Sequence, residues 1–295
     1  MEHNFVREPA GYLRIDPLPS KAELANYYSS DYYQNPHGTY SSIYTVEELK
    51  HKTIRNEFLF RVFTSGMDEN RTKMFLDVGC GEGFLLSTFQ KNGWDSLGLD
   101  FSAFGVAKFN PHLTDSLTVG DIYDSLENLI SQNRKFDCIN LGNVLEHVHD
   151  PVSLLADLRK LMNSSSILAI TVPNDFSRLQ TYLHEINATK YQYWVAVPDH
   201  LNYFGYESLR ETAAQAGLQY IDVLADFPIE WFLANERSNY SLDPSSGKAA
   251  HFARVRLDSL ITSANEFDDI RNFWSAMAKV GQGRVVTLVC KRLDS

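Results

Sequence analysis

Three aspartates and a glycine-rich stretch carry the sharpest chemical signal in the sequence. Phe75-Leu76-Asp77-Val78-Gly79-Cys80-Gly81-Glu82-Gly83-Phe84 reads as an apolar strand, a glycine turn and the start of a helix. Gly79 and Gly81 let the backbone turn tightly and leave no Cβ between it and a bound nucleotide, while Gly83 permits close packing at the helix start. Asp100 closes Gly98-Leu99-Asp100, roughly twenty residues further on, where an acidic side chain accepts hydrogen bonds from ribose hydroxyls. Asp121, in Val119-Gly120-Asp121-Ile122, closes a third run where an adenine amino group would lie, with Ile122 against the ring. Each aspartate taken alone also fits a helix cap. Together, at successive strand ends, they point to a nucleoside-like ligand.

The charge of the loop selects among such ligands. A dinucleotide pattern, G-x-G-x-x-G, needs glycine where Phe84 stands, and its pyrophosphate would face Asp77 and Glu82. A ligand carrying an ammonium and a sulfonium, as S-adenosylmethionine does, gains from those carboxylates instead. Transfer of its methyl group is an in-line displacement, so the protein must align the acceptor, exclude water and take up the acceptor's proton. Imidazole is suited to that proton. His147 follows Glu146 at the end of the fourth apolar run, and His200 lies in Pro198-Asp199-His200-Leu201-Asn202-Tyr203-Phe204. Two other readings stay open: His147 orients its loop, or Asp199 and His200 pin a cover segment.

The elements that must position these groups follow from periodicity. Short apolar runs at 74–78, 96–99, 117–119, 136–141 and 166–172 alternate with helical stretches at 84–92, 103–109, 122–132 and 151–162. Asp150 as N-cap and Pro151 at the first position mark the start of the last helix. Five strands with four crossovers predict a doubly wound parallel sheet, with ligands at the carboxyl ends of its strands. Ahead of it, the spacing predicts helices over 21–28 and 46–64, the second opened by the capping box Thr45-x-x-Glu48. Asn70-Arg71 reads as a turn into the sheet. Residues 173–202 are long, aromatic and weakly periodic, and are expected to cover the active face. A helix over 207–216 leads to a sixth strand at 218–224, and the Val-rich 284–290 is a seventh. Between those two strands, helices over 247–263 and 267–280 form an insertion of the size of a lid.

This pattern resembles the class I S-adenosylmethionine-dependent methyltransferases, over roughly 74–224 with 284–290 as the last strand. The resemblance implies an α/β, Rossmann-like seven-stranded sheet with N-terminal helices and a helical insertion before the last strand. It places Asp77, Gly79 and Gly81 on the donor loop, Asp100 and Phe101 at the ribose and adenine, Asp121 and Ile122 at the adenine, and Gly142 beside the methionine part. Asn140-Leu141-Gly142-Asn143-Val144-Leu145-Glu146-His147-Val148-His149-Asp150-Pro151 is similar to the fourth-strand signature of ubiquinone-type O-methyltransferases. Relatives there carry E-x-x-E-H with a divalent metal; Asn143 replaces the first acid here, so no metal is expected. The segment 198–204, the tyrosines Tyr27-Tyr28 and Tyr32-Tyr33, and the stretch from Trp231 to Tyr240 are similar to methyltransferases of bacterial surface-polysaccharide gene sets. On that likeness Asn202, Tyr203, Trp231 and Asn235 are candidate acceptor contacts; the aromatic clusters equally fit core packing.

Composition bounds the rest. The 295 residues hold 27 Lys plus Arg against 37 Asp plus Glu, a net charge of −10, which disfavours nucleic acid and anionic lipid as partners. No run approaches the roughly 20 apolar residues that span a bilayer, and Met1-Glu2-His3-Asn4 lacks the features of a signal peptide. A cytoplasmic protein without membrane insertion is expected. Cys80, Cys138 and Cys290, widely spaced in apolar segments, read as packed free thiols. The organisation expected is a cover segment at 1–73, a donor-binding core at 74–226, a lid or substrate insertion at 227–283 and the last strand in 284–295. The leading expectation is O-methylation of a sugar, nucleotide-sugar or glycan intermediate in polysaccharide biosynthesis, leaving S-adenosylhomocysteine. The alternatives are a quinone-like or small aromatic acceptor, and a non-catalytic donor-binding partner protein.

Overall fold

The computed structural model describes residues 4–20, 23–24, 43–67 and 73–293. The chain opens on a hairpin that periodicity did not foresee: β1 (Asn4–Arg7) pairs antiparallel with β2 (Leu13–Asp16). Each strand has only four residues and no clean alternation; distant rings hold it instead. Phe5 stands edge-on to both Phe176 and Tyr203, at 5.3 Å between centroids in each case. Of the helix expected over 21–28 only Glu23 and Leu24 are described, and Tyr27, Tyr28, Tyr32, Tyr33, Asn70 and Arg71 lie outside the described residues. Helix α1 (Val46–Thr64) begins where expected. The Thr45 side chain accepts from the Glu48 amide, and the Glu48 carboxylate accepts from the Thr45 amide.

The sheet alternates with its helices much as the periodicity requires. β3 (Met74–Val78), α2 (Phe84–Lys91), β4 (Asp95–Asp100), α3 (Phe104–Phe109), β5 (Leu117–Val119), α4 (Ile122–Ser131), β6 (Phe136–Gly142), α5 (Pro151–Lys160) and β7 (Met162–Pro173) follow in order. Asp150 caps α5 by accepting from the Ser153 amide. The cover segment after β7 contains α6 (Arg178–Glu185) and the two-residue β8 (Asn202–Tyr203), which completes a small sheet by pairing with β2. Then come α7 (Tyr206–Gln215), β9 (Leu218–Ala225), α8 (Gly247–Ser263), α9 (Phe267–Lys279) and β10 (Val285–Arg292).

The large sheet has seven strands in the order β5-β4-β3-β6-β7-β10-β9, the class I methyltransferase topology. β10 runs antiparallel to both neighbours, whereas β3 to β7 are parallel. The order reverses between β3 and β6, so the crevice for a ligand opens beyond the carboxyl ends of those two strands. β10 is reversed and its first residues pair with the ends of β7 and β9, so Arg284, Asp226 and Asp175 reach the same edge of the sheet. Beneath lies an apolar core; Phe75 and Phe89 stack within it at 3.6 Å, and Cys80, Cys138 and Cys290 are free and buried. No helix among the described residues is long and apolar enough to cross a membrane.

Of the two insertion helices, α9 packs on the sheet: Trp274 and Ile270 are buried and Arg271 bonds Asp222 of β9 at 2.6 Å. α8 docks instead on α1 through ionic contacts. Asp258 meets His51 at 2.8 Å and Arg55 at 3.5 Å, His251 meets Glu48 at 2.8 Å, and Arg256 meets Glu47 at 2.7 Å. Asp258 is buried; burial alone raises its pKa, but Arg55, His51 and the Thr262 hydroxyl outweigh that and hold it below the usual carboxylate range. Asp258→Asn leaves the buried His51 and the half-buried Arg55 facing an amide and is expected to lower stability by about 2 kcal/mol in urea titration. A folded-state pKa below the unfolded one means the contribution is present above the unfolded value and lost as pH falls through the folded one. The gap between wild type and variant should therefore close below about pH 4. A gap unchanged down to pH 3 would show that the charge of Asp258 is not what holds α8.

Candidate active site

The donor end is built where β3 runs into its glycine turn. Gly79 has φ of 72°, in the left-handed region, and a Cβ there would run into the Val144 side chain beyond β6. The amides of Gly79 and Cys80 both donate to the Leu99 carbonyl, at 2.8 and 3.1 Å. Asp100 then ties the loop from its own strand end: Oδ2 accepts from the Gly81 amide at 2.8 Å and Oδ1 from the Ser102 amide at 2.9 Å. Asp77 is buried, and desolvation pushes its pKa up to about 7 against the pull of Asn140, whose amide donates to Oδ1 at 2.7 Å. A cationic ligand beside Asp77 would restore the charge that burial disfavours.

Two expected donor contacts differ in detail. Glu82 does not offer a spare charge: it accepts from the Tyr44 hydroxyl at 2.6 Å and pairs with Lys52 of α1 at 3.1 Å. Its role is to hold α1 over the loop. Asp121 caps α4, with Oδ1 accepting from the Tyr123 amide at 2.7 Å and more weakly from Asp124, so only Oδ2 remains for a ligand. Ile122 is half-buried beside it, and Phe101 stands exposed at the end of β4.

The acceptor end begins at Gly142, the last residue of β6. A short 3-10 turn, Leu145–His147, carries Glu146 inward and His147 to the rim. The ring nitrogen Nδ1 of His147 lies 2.7 Å from the Asp199 carbonyl and 3.4 Å from its carboxylate; Nε2 lies 3.7 Å from Glu146. Burial lowers the pKa of His147, but Asp199 and Glu146 outweigh it and raise it to about 9. Glu146 is itself pushed up by burial, with His147 pulling the other way. The His200 ring meets that of His147 at 5.0 Å, and its Nδ1 lies 3.9 Å from Asp175. The structure thus gathers both histidines into one cluster from segments 50 residues apart. Buried atoms of Glu146, Asp175, Asp199, His200 and Glu230 have no hydrogen-bond partner there.

Four expected acceptor contacts sit otherwise. Asn202 is fully buried, and its amide donates to the carbonyls of Leu145 and Val148 at 3.3 and 2.6 Å. It pins the turn that bears Glu146 and His147. Tyr203 is buried too, its hydroxyl donating to the His200 carbonyl at 3.1 Å, so it sets the place of His200. Trp231 donates to Gln282 beyond α9, and Asn235 accepts from the Arg237 amide. An exposed-looking polar side chain in a sequence becomes a brace when the fold supplies carbonyls with no other donor.

Residues 47–223 match the methyltransferase domain family, and that stretch spans the whole donor crevice. The chain belongs to the class I S-adenosylmethionine-dependent methyltransferases. It is 35% identical over 118 residues to a ubiquinone biosynthesis O-methyltransferase of Methylococcus capsulatus, covering 39% of this chain and 49% of that one. A ubiquinone biosynthesis O-methyltransferase of Coxiella burnetii is 26% identical over 211 residues, 69% of this chain and 84% of its own. Among solved structures, a SAM-dependent methyltransferase of Archaeoglobus fulgidus superposes with a TM-score of 0.52 at 17% identity, over 89% of this chain and all of that one.

The residues present fit the methyl donor of this methyltransferase family. The glycine turn leaves room for a nucleoside, Asp100 reaches the crevice, and the buried Asp77 forms no ion pair among the described residues, a place an ammonium would fill. For a metal the expectation rested on Asn143 and on two groups of one short segment. The fold adds His200, so that Glu146, His147 and His200 bring three ligand-type atoms within 4.8 Å of one another. His147 already faces the carboxylates of Glu146 at 3.7 Å and Asp199 at 3.4 Å.

Proposed function

We propose that the chain methylates an oxygen of a small hydroxylated aromatic acceptor, a phenol or catechol, with His147 taking the acceptor's proton. The arrangement of His147 at the end of β6, held at Nδ1 by Asp199 and facing Glu146 at Nε2, carries this reading. S-adenosylmethionine, when bound, supplies an electrophilic methyl group on a sulfonium. Asp77, Asp100 and the Gly79–Gly83 turn bind and orient it; Asn202 and Tyr203 hold the two histidines in place. The cover segment after β7 excludes water, burying Trp194 and Leu201 behind the cluster.

Matching of acidities favours a phenol. An imidazolium of pKa about 9 is within about one unit of a phenol near 10, and far below an alkyl alcohol. The relatives named above are O-methyltransferases of ubiquinone biosynthesis, which supports the same class. Nothing in them supports a role in polysaccharide assembly.

Methyl-labelled donor offered with catechol and, separately, with a nucleotide-sugar tests this. Label is expected in a catechol methyl ether. Label only in the nucleotide-sugar, or in neither, overturns the reading.

A further inference from the structure

Two polar atoms of the acceptor end face each other with nothing else to bond. His200 Nδ1 and Asp175 Oδ2 are both buried, neither has a hydrogen-bond partner among the described residues, and they stand 3.9 Å apart. That gap is about 1 Å longer than a hydrogen bond and too short for a bridging water. A small turn of the imidazole closes it.

The backbone holds both partners at this meeting point. The Asp175 amide donates to the Phe204 carbonyl at 2.9 Å, the His200 amide to the Ala196 carbonyl at 2.6 Å, and the Tyr203 hydroxyl to the His200 carbonyl at 3.1 Å. The other oxygen of Asp175 is taken, since Oδ1 accepts from the Arg284 guanidinium at 3.0 Å. Arg284 is fixed in turn: its amide donates to Asp226 at 2.7 Å, and its carbonyl accepts from the Asn174 amide at 2.9 Å. Burial lowers the pKa of the guanidinium, but Asp175 and Glu230, the latter at 3.9 Å, outweigh it and raise it. With Oδ1 bound to a fixed cation, Oδ2 is left to His200.

We propose that Arg284 and Asp175 are positioning residues for His200: Arg284 holds Asp175 at Oδ1, so that Oδ2 accepts the Nδ1 proton of His200 and the lone pair is left on Nε2. The His200 ring stands nearly perpendicular to that of His147, 5.0 Å away. An acceptor nitrogen there holds the hydroxyl that His147 deprotonates. That use of the nitrogen rests on the O-methylation reading above, whereas the place of the proton does not.

Imidazole nitrogen shifts, read by NMR on protein with isotope-labelled histidine and bound S-adenosylhomocysteine, test this. The His200 signals are those that vanish in His200→Gln. The neutral His200 ring is expected to carry its proton on Nδ1. Asp175→Asn should reverse it, because the amide oxygen stays on Arg284 and the NH2 group then faces His200 as a donor, which sends the ring proton to Nε2. Arg284→Gln should blur the preference and lower kcat with catechol by about tenfold, as loss of one hydrogen bond would, with KM for the donor unchanged. Arg284→Lys, which keeps the charge, should restore most of both. A proton on Nε2 in the wild type overturns the proposal without any variant, as does an Nδ1 proton that survives Asp175→Asn. The shifts need no turnover: the expected proton position and its reversal, with no methyl transfer, would sink the O-methylation reading and leave the positioning pair. Methyl transfer to catechol with the wild-type proton on Nε2 would do the reverse.

Discussion

Asp100→Ala is expected to weaken binding of S-adenosylhomocysteine by about a thousandfold while the chain stays folded. Each hydrogen bond to a carboxylate contributes about 1.5–3 kcal/mol, and a ribose offers two hydroxyls to this one. The same carboxylate accepts from the amides of Gly81 and Ser102, so its removal also frees the glycine turn to relax. Titration calorimetry measures the loss, and Asp100→Asn separates its two sources. The amide keeps one acceptor oxygen, enough for the Gly81 or the Ser102 N–H but not both, and lacks the charge, so the turn should be partly held while affinity drops by an intermediate amount. Affinity equal to wild type in a folded Asp100→Ala protein would remove Asp100 from the donor site.

His147→Gln is expected to lower turnover by between about a hundredfold and ten-thousandfold, the range for a positioned base, with donor binding retained. The pH profile carries more information than the size of the loss. Since its neighbours raise the pKa of His147 to about 9, the basic form grows with pH up to that value. In the wild type kcat/KM should climb about tenfold per unit from neutrality and level off near pH 9. The variant should lack that limb. Asp199→Asn should shift the limb toward lower pH, because a carboxylate that favours the imidazolium has gone. A flat wild-type profile, or a variant that keeps the climb, would assign the proton to another group.

Much of the sheet was legible because its signals are local. The apolar runs, the capping box at Thr45 and Glu48, the Asp150-Pro151 helix start and the glycine turn are each decided within a few residues; two strands, 74–78 and 117–119, fall where expected, and no strand boundary is off by more than four. The hairpin of β1 and β2 was not legible, because four-residue strands acquire their reason from Phe176 and Tyr203 far along the chain. The same distance hid the helix α6, whose eight residues bury little apolar surface of their own.

The candidate site divides along that line. Asp77, Asp100 and His147 stand at strand ends, where a sequence advertises them. Asn202 and Tyr203 lie close to the histidines as the sequence suggested, yet their polar atoms face inward to backbone carbonyls. Asp199, Glu146 and Asn140, which shape His147 and Asp77, lie in segments the sequence singled out, but their pairings cross the fold and no spacing shows them. Lys52 and Tyr44 over Glu82 were missed for the same reason. In the sequence Asp199 reads only as a pin of the cover segment beside His200; its contact with His147 appears only in the fold.

Glu48 and Lys52 stand one turn apart on α1. Glu48 pairs with His251 of α8, and Lys52 pairs with Glu82 in the donor turn. One helix thus fastens the insertion to the glycine turn, so the donor loop leans on contacts made far from it. Lys52→Met, which unfastens that turn, should weaken S-adenosylhomocysteine binding in titration calorimetry; affinity equal to wild type would show that the fastening does not support the donor site.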